Sequence, residues 1–372
     1  MATKGRKERK TKLLAEARCG EKQSRPQSFP FRLLCVLCAL SWLNFGVRVE
    51  LRGALCVACN TLPHCKLAPF AVPRHARPVQ FIRDIHAAKK AQGNPVISFE
   101  FFPPKTDEGE KNLFEKHIPE LMKLRPDFCS VTYGAGGSTR DKTIGIVDRI
   151  QREHALTTMM HLTCVNATKE ELAAVLAEAA KRGIQNILAL RGDPPGGSEF
   201  KATEGGFEFS HQLVSYLREL GGFSIGTAGF PEGHIACKEG RQVDWDRLKA
   251  KIDCGADFVV TQLFFDNADF YAFRDYLTKK GVTVPIVPGI LPAHSGSQIK
   301  RFTALCGAQL PAPFLAGLDK CGADDAAASD FGIEYATTQC ADLLKNGVEG
   351  IHFYTLNKAL ATTRILQNLK LA

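Results

Sequence analysis

The chain has 372 residues, 13 cysteines and a formal net charge of +9. Residues 1–78 carry 15 Lys and Arg against 4 Asp and Glu, a net of +11, whereas residues 79–372 carry 33 against 35, a net of −2. Because binding to nucleic acid requires a basic face, the near-neutral larger part argues against a nucleic-acid partner. An odd, dispersed set of cysteines in a chain of this size indicates reduced thiols rather than a disulfide framework.

Residues 1–78 are predicted to be an extension separate from the main domain, disordered where Lys, Arg, Ser and Gln predominate. The apolar run at 33–47 is short for a membrane span, but a basic start before such a run resembles a targeting or anchor segment. Two Cys-x-x-Cys pairs, at 35–38 and 56–59, have the spacing of a zinc site. The first pair lies inside the apolar run, so we predict no metal. We expect a cytoplasmic protein, with organelle targeting or membrane anchoring through residues 1–78 as the alternative.

Eight short apolar runs are predicted to be parallel strands that are buried on both faces. In chain order they are residues 95–102, 128–135, 159–165, 186–193, 223–230, 258–265, 285–291 and 350–357. Stretches with helical spacing lie between them. Eight alternations of strand and helix predict an α/β protein whose residues 79–372 form a (β/α)₈ barrel, and reactive groups gather at the C-terminal ends of the strands in that fold.

The predicted helices have recognisable starts and stops. Residues 79–92 form a helix that closes the bottom of the barrel, and the helix over 110–124 contains Pro119, a candidate kink. Thr168 with Glu171 three residues later has the pattern of a capping box and starts a helix that Gly183 ends. Three further helices, each followed by a glycine, are predicted at 244–254, 268–280 and 324–346.

The sharpest local signal for function is Glu100, which stands between Phe99 and Phe101 in the first predicted strand. Burial of a lone carboxyl group raises its pKa toward neutrality. A general acid that works near pH 7 needs this property. The alternative is a structural Glu100 paired with a Lys or Arg of the barrel.

Polar side chains also mark the ends of other strands. Thr132 and Tyr133 precede a glycine-rich turn, whose small residues let the backbone approach a flat or phosphate-bearing ligand. His161 lies in the third strand, where a satisfied core histidine is the alternative. Arg191-Gly192-Asp193 ends the fourth strand and suits a charged, planar cofactor. Gln262, in the sixth run, is a buried amide that must find hydrogen-bond partners.

Two predicted helices carry candidate binding residues. Gln298 and Phe302 lie four residues apart on one helical face and offer a hydrogen-bonding group and a stacking ring. A surface Gln and a core Phe are the alternative. Asp244, Arg247 and Lys251 line one face of another helix, where a solvated, salt-bridged surface is the alternative.

Seven motifs occur in one order at the ends of predicted strands, and together they resemble the methylenetetrahydrofolate reductase family, in the form of the bacterial catalytic barrel. They are FEFFPP at 99–104, SVTYG at 130–134, HLTC at 161–164, LRGD at 190–193, TQLFF at 261–265, PGILP at 288–292 and HFYTLN at 352–357. The resemblance implies an oxidoreductase that acts on CH–NH groups. It binds FAD, takes a hydride from NADH or NADPH, and reduces 5,10-methylenetetrahydrofolate to 5-methyltetrahydrofolate by a ping-pong reaction, which supplies methyl groups for methionine synthesis.

The resemblance also implies roles for individual residues. Glu100 is the acid that protonates N10 of the folate, and Asp193 lies beside the flavin pyrimidine edge and tunes its potential. The positions that match FAD contacts are Thr132, Tyr133, Ala135, His161, Arg191, Gly192, Asp193, Ser210, Phe230, His234, Asp244, Arg247 and Lys251. The positions that match substrate contacts are Glu100, Gln262, Gln298, Phe302 and Lys358.

Three of these positions depart from the bacterial pattern. Phe230 stands where a Tyr is frequent, Arg247 replaces a smaller polar residue or His, and Lys358 stands where Arg is frequent, which weakens a bidentate grip on the folate. No C-terminal regulatory domain is expected, and therefore no control by S-adenosylmethionine. We expect a homo-oligomer with a folate and a nicotinamide nucleotide as small-molecule partners.

Two alternatives to the reductase remain open. One is another flavin-dependent barrel oxidoreductase, similar to proline dehydrogenase, which would need neither Glu100 in its aromatic setting nor Gln262. The other is a catalytically silent relative that binds folate or flavin. Intact Glu100 and Asp193 argue against the silent relative.

Overall fold

The structure is a computed structural model that describes residues 80–134, 139–193 and 200–372. The predictions for residues 1–78, which concern the basic extension, the apolar run and the two cysteine pairs, lie outside the described residues. The same holds for Ala135, a predicted cofactor contact.

The described strands form one parallel sheet that closes on itself. They are β1 (Val96–Phe101), β2 (Phe128–Val131), β3 (Thr157–Thr163), β4 (Asn186–Leu190), β5 (Ser224–Gly229), β6 (Phe258–Thr261), β7 (Ile286–Val287), β8 (Gly289–Ile290) and β9 (Gly350–Tyr354). Their order in the sheet is β7-β6-β5-β4-β3-β2-β1-β9-β8. Since β7 and β8 are consecutive parts of one pass of the chain, the eight predicted passes are all present. The predicted (β/α)₈ barrel is confirmed.

The seventh pass is divided by Pro288. A proline has no backbone N–H to give to a sheet. Its carbonyl still accepts a hydrogen bond from the backbone N–H of His352, at 2.9 Å. On either side of it, β7 pairs with β6 and β8 pairs with β9, so this short pass joins the two edges of the sheet.

The helices of the described part lie before, between and after the strands. They are α1 (Ile82–Ala91), α2 (Asp107–Asn112), α3 (Ile118–Met122), α4 (Arg140–His154), α5 (Lys169–Lys181), α6 (Ser210–Leu220), α7 (Arg241–Asp253), α8 (Asn267–Lys279), α9 (Gly296–Cys306), α10 (Ala312–Cys321), α11 (Asp325–Lys345) and α12 (Leu360–Asn368). Within the ranges that the structure describes, none of these helices is long and apolar enough to cross a bilayer.

Local sequence signals account for several helix ends. The backbone N–H of Thr168 donates to Glu171 Oε2 at 2.9 Å, and the backbone N–H of Glu171 donates to Thr168 Oγ1 at 3.2 Å. The predicted capping box is therefore confirmed.

A π-helical segment, Leu113–His117, joins α2 to α3 directly before Pro119. Because Pro119 cannot donate to the carbonyl of Glu115, the regular α-helical pattern is interrupted there.

Helix α1 closes the N-terminal end of the barrel. The backbone N–H of Ile82 donates to Asn186 Oδ1, at the start of β4, at 2.8 Å. Ile82 and Ile85 pack with Phe128 and Phe258, which stand on β2 and β6. The prediction of a helix at the bottom of the barrel is confirmed, and a ligand therefore has to enter at the opposite end, where the strands finish.

Candidate active site

Glu100 lies inside the barrel near the C-terminal end of β1, in register with Ser130 on β2 and Tyr354 on β9. Its side chain is only 16% exposed. Its Oε2 lies 3.3 Å from His161 Nε2 and 3.5 Å from His352 Nε2, and it accepts a hydrogen bond from Ser130 Oγ at 3.5 Å. The neighbours of this carboxyl group are thus two imidazoles and a hydroxyl.

The expected setting of Glu100 among phenyl rings is wrong, and so is the alternative of a Lys or Arg partner. Successive side chains of a strand point to opposite faces. Phe99 and Phe101 therefore point away from the barrel interior and belong to the same core cluster as Leu113 and Phe114 of the helical layer. Glu100 shares the inner face with the polar residues of its neighbours.

His352 is a residue of the site that the sequence did not single out. It is fully buried, its Nδ1 lies 2.8 Å from Ser98 Oγ, and its ring stacks on Phe128 with centroids 6.2 Å apart. The signal was present in the HFYTLN motif, but one sequence does not show that this strand pairs with β1. His161 was predicted and is buried beside Glu100. Burial lowers the pKa of His161, and the charge of Glu100 opposes that change.

The segment after β9 holds the backbone at Glu100 and just after it. Thr355 Oγ1 donates to the carbonyl of Glu100 at 2.6 Å. The amide of Asn357 accepts from the backbone N–H of Phe102 at 3.0 Å and donates to the carbonyl of Phe102 at 2.8 Å. Leu356 and Asn357 have φ values of 50° and 57°, a left-handed conformation that is uncommon for residues other than glycine. The end of β1 is therefore fixed by its neighbour rather than free.

A second group of predicted residues, Arg191, Asp193, His234, Asp244 and Lys251, forms a charged cluster at the ends of β4 and β5 and on α7. The backbone N–H of His234 donates to Asp244 Oδ2 at 3.1 Å, and Lys251 Nζ donates to the carbonyl of Ala228 at 3.1 Å. Each residue of the cluster influences the titration of at least one other. The structure thus brings together five positions that are separated by up to 60 places in the sequence.

Burial dominates the titration of this cluster. It lowers the pKa of Lys251 to about 8, with a further decrease from the charge of Arg191 and an opposing effect from Asp244. It raises the pKa of the Asp244 carboxyl and lowers that of His234. Because an opposite charge nearby favours the ammonium form, an anionic ligand would raise the pKa of Lys251 again.

Gly192 stands at a position where a side chain would not fit. Its φ is 84°, and a Cβ placed on it would lie 2.6 Å from Val165 Cγ1 and 2.8 Å from Thr163 Cβ.

Thr132 and Tyr133 lie at the end of β2. Thr143 Oγ1 donates to the carbonyl of Thr132 and Arg140 Nε donates to the hydroxyl of Tyr133, both at 2.9 Å. These positions and Gly192 lie at the C-terminal ends of β2 and β4, and their roles as cofactor contacts stay predictions.

Three predicted cofactor positions are less central. Arg247 forms an ion pair with Glu239 on the surface, and its side chain is 57% exposed. This contact matches the alternative of a solvated, salt-bridged face for that residue. Phe230 packs edge-on against the ring of His234, with centroids 4.6 Å apart. Ser210 is the first residue of α6 and is partly buried, and its role stays a prediction.

The predicted substrate positions lie at the ends of β6 and β9 and on α9. The backbone N–H of Gln262 donates to the carbonyl of Gly229 at 2.7 Å, and its side-chain oxygen accepts from the backbone N–H of Leu263. Gln298 is partly buried near the start of α9, and Phe302 packs against the cluster that contains Leu263. Lys358 is exposed just after β9, and its charge adds to the burial that lowers the pKa of His294 to about 4.

A second residue that the sequence did not single out is Glu232, in the turn after β5. Its Oε2 accepts a hydrogen bond from the backbone N–H of Gln309 at 2.9 Å. Burial raises the pKa of the Glu232 carboxyl to about 7, and the charges of Asp266 and Asp269 act in the same direction. Its surroundings come from segments far apart in the sequence, so a single turn of Pro, Glu and Gly gave no sign of them.

Comparison with known proteins identifies the family. A sequence model described as "Methylenetetrahydrofolate reductase" matches residues 84–370. The chain belongs to the methylenetetrahydrofolate reductase family. "Methylenetetrahydrofolate reductase (NADH) 1" of Arabidopsis thaliana is 42% identical over 291 residues, which cover 75% of this chain and 49% of the plant protein. "5,10-methylenetetrahydrofolate reductase" of Escherichia coli is 38% identical over 282 residues, which cover 75% of this chain and 92% of the bacterial protein.

The match to the methylenetetrahydrofolate reductase family differs in extent between relatives. The chain spans about half the length of its plant relatives but nearly all of the bacterial one. Among solved structures, a Clostridium thermocellum protein described as binding two copies of 5-methyl-5,6,7,8-tetrahydrofolic acid superimposes with a TM-score of 0.51 and 16% identity. The match covers 76% of this chain and 97% of the Clostridium thermocellum protein. At this identity the likeness supports the barrel fold alone.

Proposed function

We propose that this chain reduces 5,10-methylenetetrahydrofolate to 5-methyltetrahydrofolate, with bound FAD and with NADH or NADPH as electron donor. The observation that carries the proposal is the place of Glu100, a largely buried carboxyl group at the C-terminal mouth of a barrel that belongs to the reductase family. The names of the plant relatives favour NADH as the donor. A rival flavin barrel of another family has no support from these matches.

The residues present fit a flat anionic cofactor. The hydroxyl of Thr163, on the inner face of β3, is buried and has no hydrogen-bond partner among the described residues. Arg191 and Lys251 supply two cations at the same end of the barrel, close enough for Arg191 to influence the pKa of Lys251. Buried polar groups need partners, and phosphate or ring oxygens of a ligand would supply them. When bound, FAD would accept a hydride from the nicotinamide and pass it to the folate.

The chain itself then supplies positioning and one proton. Arg191 and Lys251 would hold the phosphates, and Asp193 would set the charge near the flavin ring. Gln262, Gln298 and Phe302 would hold the folate or the nicotinamide in turn. Glu100 would donate its proton to N10 of the folate, which opens the five-membered ring and creates the electrophilic carbon that accepts hydride. Ser130 donates a hydrogen bond to the carboxyl group, and His161 Nε2 lies 3.3 Å from it.

The substitution Glu100→Gln tests the proposal on the purified full chain. The variant keeps the shape of the side chain but has no acidic proton. We expect normal flavin absorbance and normal NADH oxidation with a quinone acceptor, while reduction of methylenetetrahydrofolate falls by about 10²- to 10⁴-fold. Glu115→Gln, at an exposed position of the π-helical segment, is the matched control and should behave as wild type.

Two outcomes would contradict the proposed function. Equal loss of the NADH and folate half-reactions in Glu100→Gln would refute the role of this residue as acid. Flavin binding without any folate reduction in the wild-type chain would instead support the silent relative.

A further inference from the structure

The side chain of Glu232 joins two segments that lie far apart in the sequence. Glu232 stands in the turn after β5, and its Oε2 accepts a hydrogen bond from the backbone N–H of Gln309 at 2.9 Å. Gln309 belongs to the linker between α9 and α10. Ile235 contacts the same linker, because a Cβ placed on Gly307 would lie 3.2 Å from the Cβ of Ile235. The turn after β5 is therefore attached to the residues that follow α9.

The two joined segments carry different parts of the proposed site. The turn that contains Glu232 leads directly into His234, a proposed cofactor contact. Helix α9 carries Gln298 and Phe302, the proposed contacts of the folate and the nicotinamide, and Gly307 caps its C-terminal end. Because the linker begins at this cap, the bond to Glu232 fixes the last turn of α9 relative to the segment that carries His234.

The titratable and charged groups around Glu232 come from α7, α8 and α9. Asp266 is the N-cap of α8, and Asp269 in the first turn of that helix forms an ion pair with Arg241 of α7 at 3.2 Å. Cys306 is the last residue of α9. Burial raises the pKa of its thiol and the charge of Glu232 adds to that increase, so the thiol stays uncharged near neutral pH.

The strength of the bond to the linker depends on the charge of Glu232. Burial raises the pKa of its carboxyl group to about 7, the hydrogen bond from Gln309 opposes this change, and the charges of Asp266 and Asp269 add to it. A hydrogen bond to an ionised carboxylate is stronger than one to a neutral acceptor. The attachment is therefore strongest when the pH is above this pKa, and it weakens as the carboxyl group is protonated.

We propose that Glu232 is a positioning residue for the two substrates. Through the linker it holds α9 against the segment that carries His234, so that Gln298 and Phe302 stand at the right distance from the cofactor. The inference rests on the function proposed above and adds a residue to it. Because the bond is remote from Glu100, its loss should weaken the binding of folate and nicotinamide without changing the acid.

Glu232→Ala tests the proposal in the purified full chain, because alanine cannot accept the hydrogen bond from the linker. We expect the KM for methylenetetrahydrofolate and the KM for NADH to rise about tenfold each at about pH 8. Flavin content and kcat should stay like those of wild type, since the lost interaction acts on substrate binding. Gln309→Ala is the matched control. It removes an exposed side chain but keeps the backbone N–H, and should behave as wild type.

Glu232→Gln separates the charge from the hydrogen bond. Its amide oxygen can still accept from the backbone N–H of Gln309, but the side chain does not ionise. The ratio of its KM values to those of wild type should be about three at about pH 8 and about one at about pH 6, where the wild-type carboxyl group is protonated. Other groups titrate in both proteins and cancel in this ratio. Should Glu232→Ala fail to fold, Glu232→Gln carries the test.

Several outcomes would overturn the inference. Unchanged KM values in Glu232→Ala, or a ratio for Glu232→Gln that does not vary with pH, would refute the positioning role. A fall in kcat or in flavin content at unchanged KM would do the same, because a merely structural residue would give that result. NADH oxidation with a quinone acceptor does not need the folate. Absence of folate reduction in wild type, together with a raised KM for NADH in Glu232→Ala, would therefore refute the proposed function alone.

Discussion

The buried imidazole of His86 should make the stability of this protein depend on pH. His86 lies on α1 and is 2% exposed, with ring centroids 5.8 Å from Phe258 and 6.5 Å from Phe128. Neither of its ring nitrogens has a hydrogen-bond partner within the part of the chain that the structure describes. Burial lowers the pKa of His86 from 6.5 to about 4. A charged imidazole is therefore strongly unfavourable at the bottom of the barrel.

The size and sign of the effect follow from proton linkage. Below pH 6.5 the unfolded chain binds a proton at His86, whereas the folded chain does so only below about pH 4. The free energy of unfolding therefore has its full value above pH 6.5 and falls as the pH decreases from 6.5 to 4. One pKa unit corresponds to about 1.4 kcal/mol, so the whole window amounts to about 3 kcal/mol. By about pH 5.5, the loss should already be about 1.4 kcal/mol.

Substitution of His86 by Phe should remove this dependence. Wild type and His86→Phe would be compared by urea unfolding of the full chain at about pH 5.5 and about pH 7.5. The change in the free energy of unfolding between these two pH values should be smaller in His86→Phe than in wild type by about 1.4 kcal/mol. The exposed His211→Gln is the control and should follow wild type. Other buried histidines, such as His294, titrate in both proteins and cancel in the comparison. Parallel pH dependences for His86→Phe and wild type would refute the reasoning.

Two further predictions concern the cofactor site. If Asp193 lies beside the flavin as proposed, Asp193→Asn removes a negative charge there, so the midpoint potential should rise in a redox titration, and an unchanged potential would count against the assignment. Gly192→Ala places a methyl group against Val165 and Thr163 at a backbone φ of 84°, so flavin content after purification should fall sharply. Gly183→Ala, at a φ of 73° but with open space around it, is the matched control and should keep its flavin.

The fold could be predicted because buried parallel strands have continuous apolar sequences. All eight runs contain strands, and the errors concern the ends of the elements and one interruption. The second run was predicted to reach residue 135, but β2 ends at Val131. The seventh run looked like one strand, yet Pro288 divides it. Helix α7 begins at Arg241 rather than at 244, directly after Gly240, whose φ of 100° ends the preceding turn.

The site was predictable only in part, since its contacts join strands that are distant in sequence. Glu100 was identified from its own strand, but its two imidazole neighbours stand 61 and 252 residues further along the chain. Which side chains share the barrel interior depends on register. Once β1 is paired with β9, the alternation of side chains places His352 opposite Ser98 and next to Glu100. A single sequence gives the alternation of each strand but not the register between them.

The polar atoms that lack partners have different meanings at the two ends of this barrel. At the mouth, the hydroxyl of Thr163 stands on the inner face of β3, in register with Leu190, the residue before the cation Arg191, so a ligand can satisfy it. At the bottom, the ring of His86 is enclosed by phenyl rings and covered by its own helix, so burial there only weakens the fold at low pH. An unpartnered buried polar atom therefore indicates a binding site only where charge complementarity and accessible space accompany it.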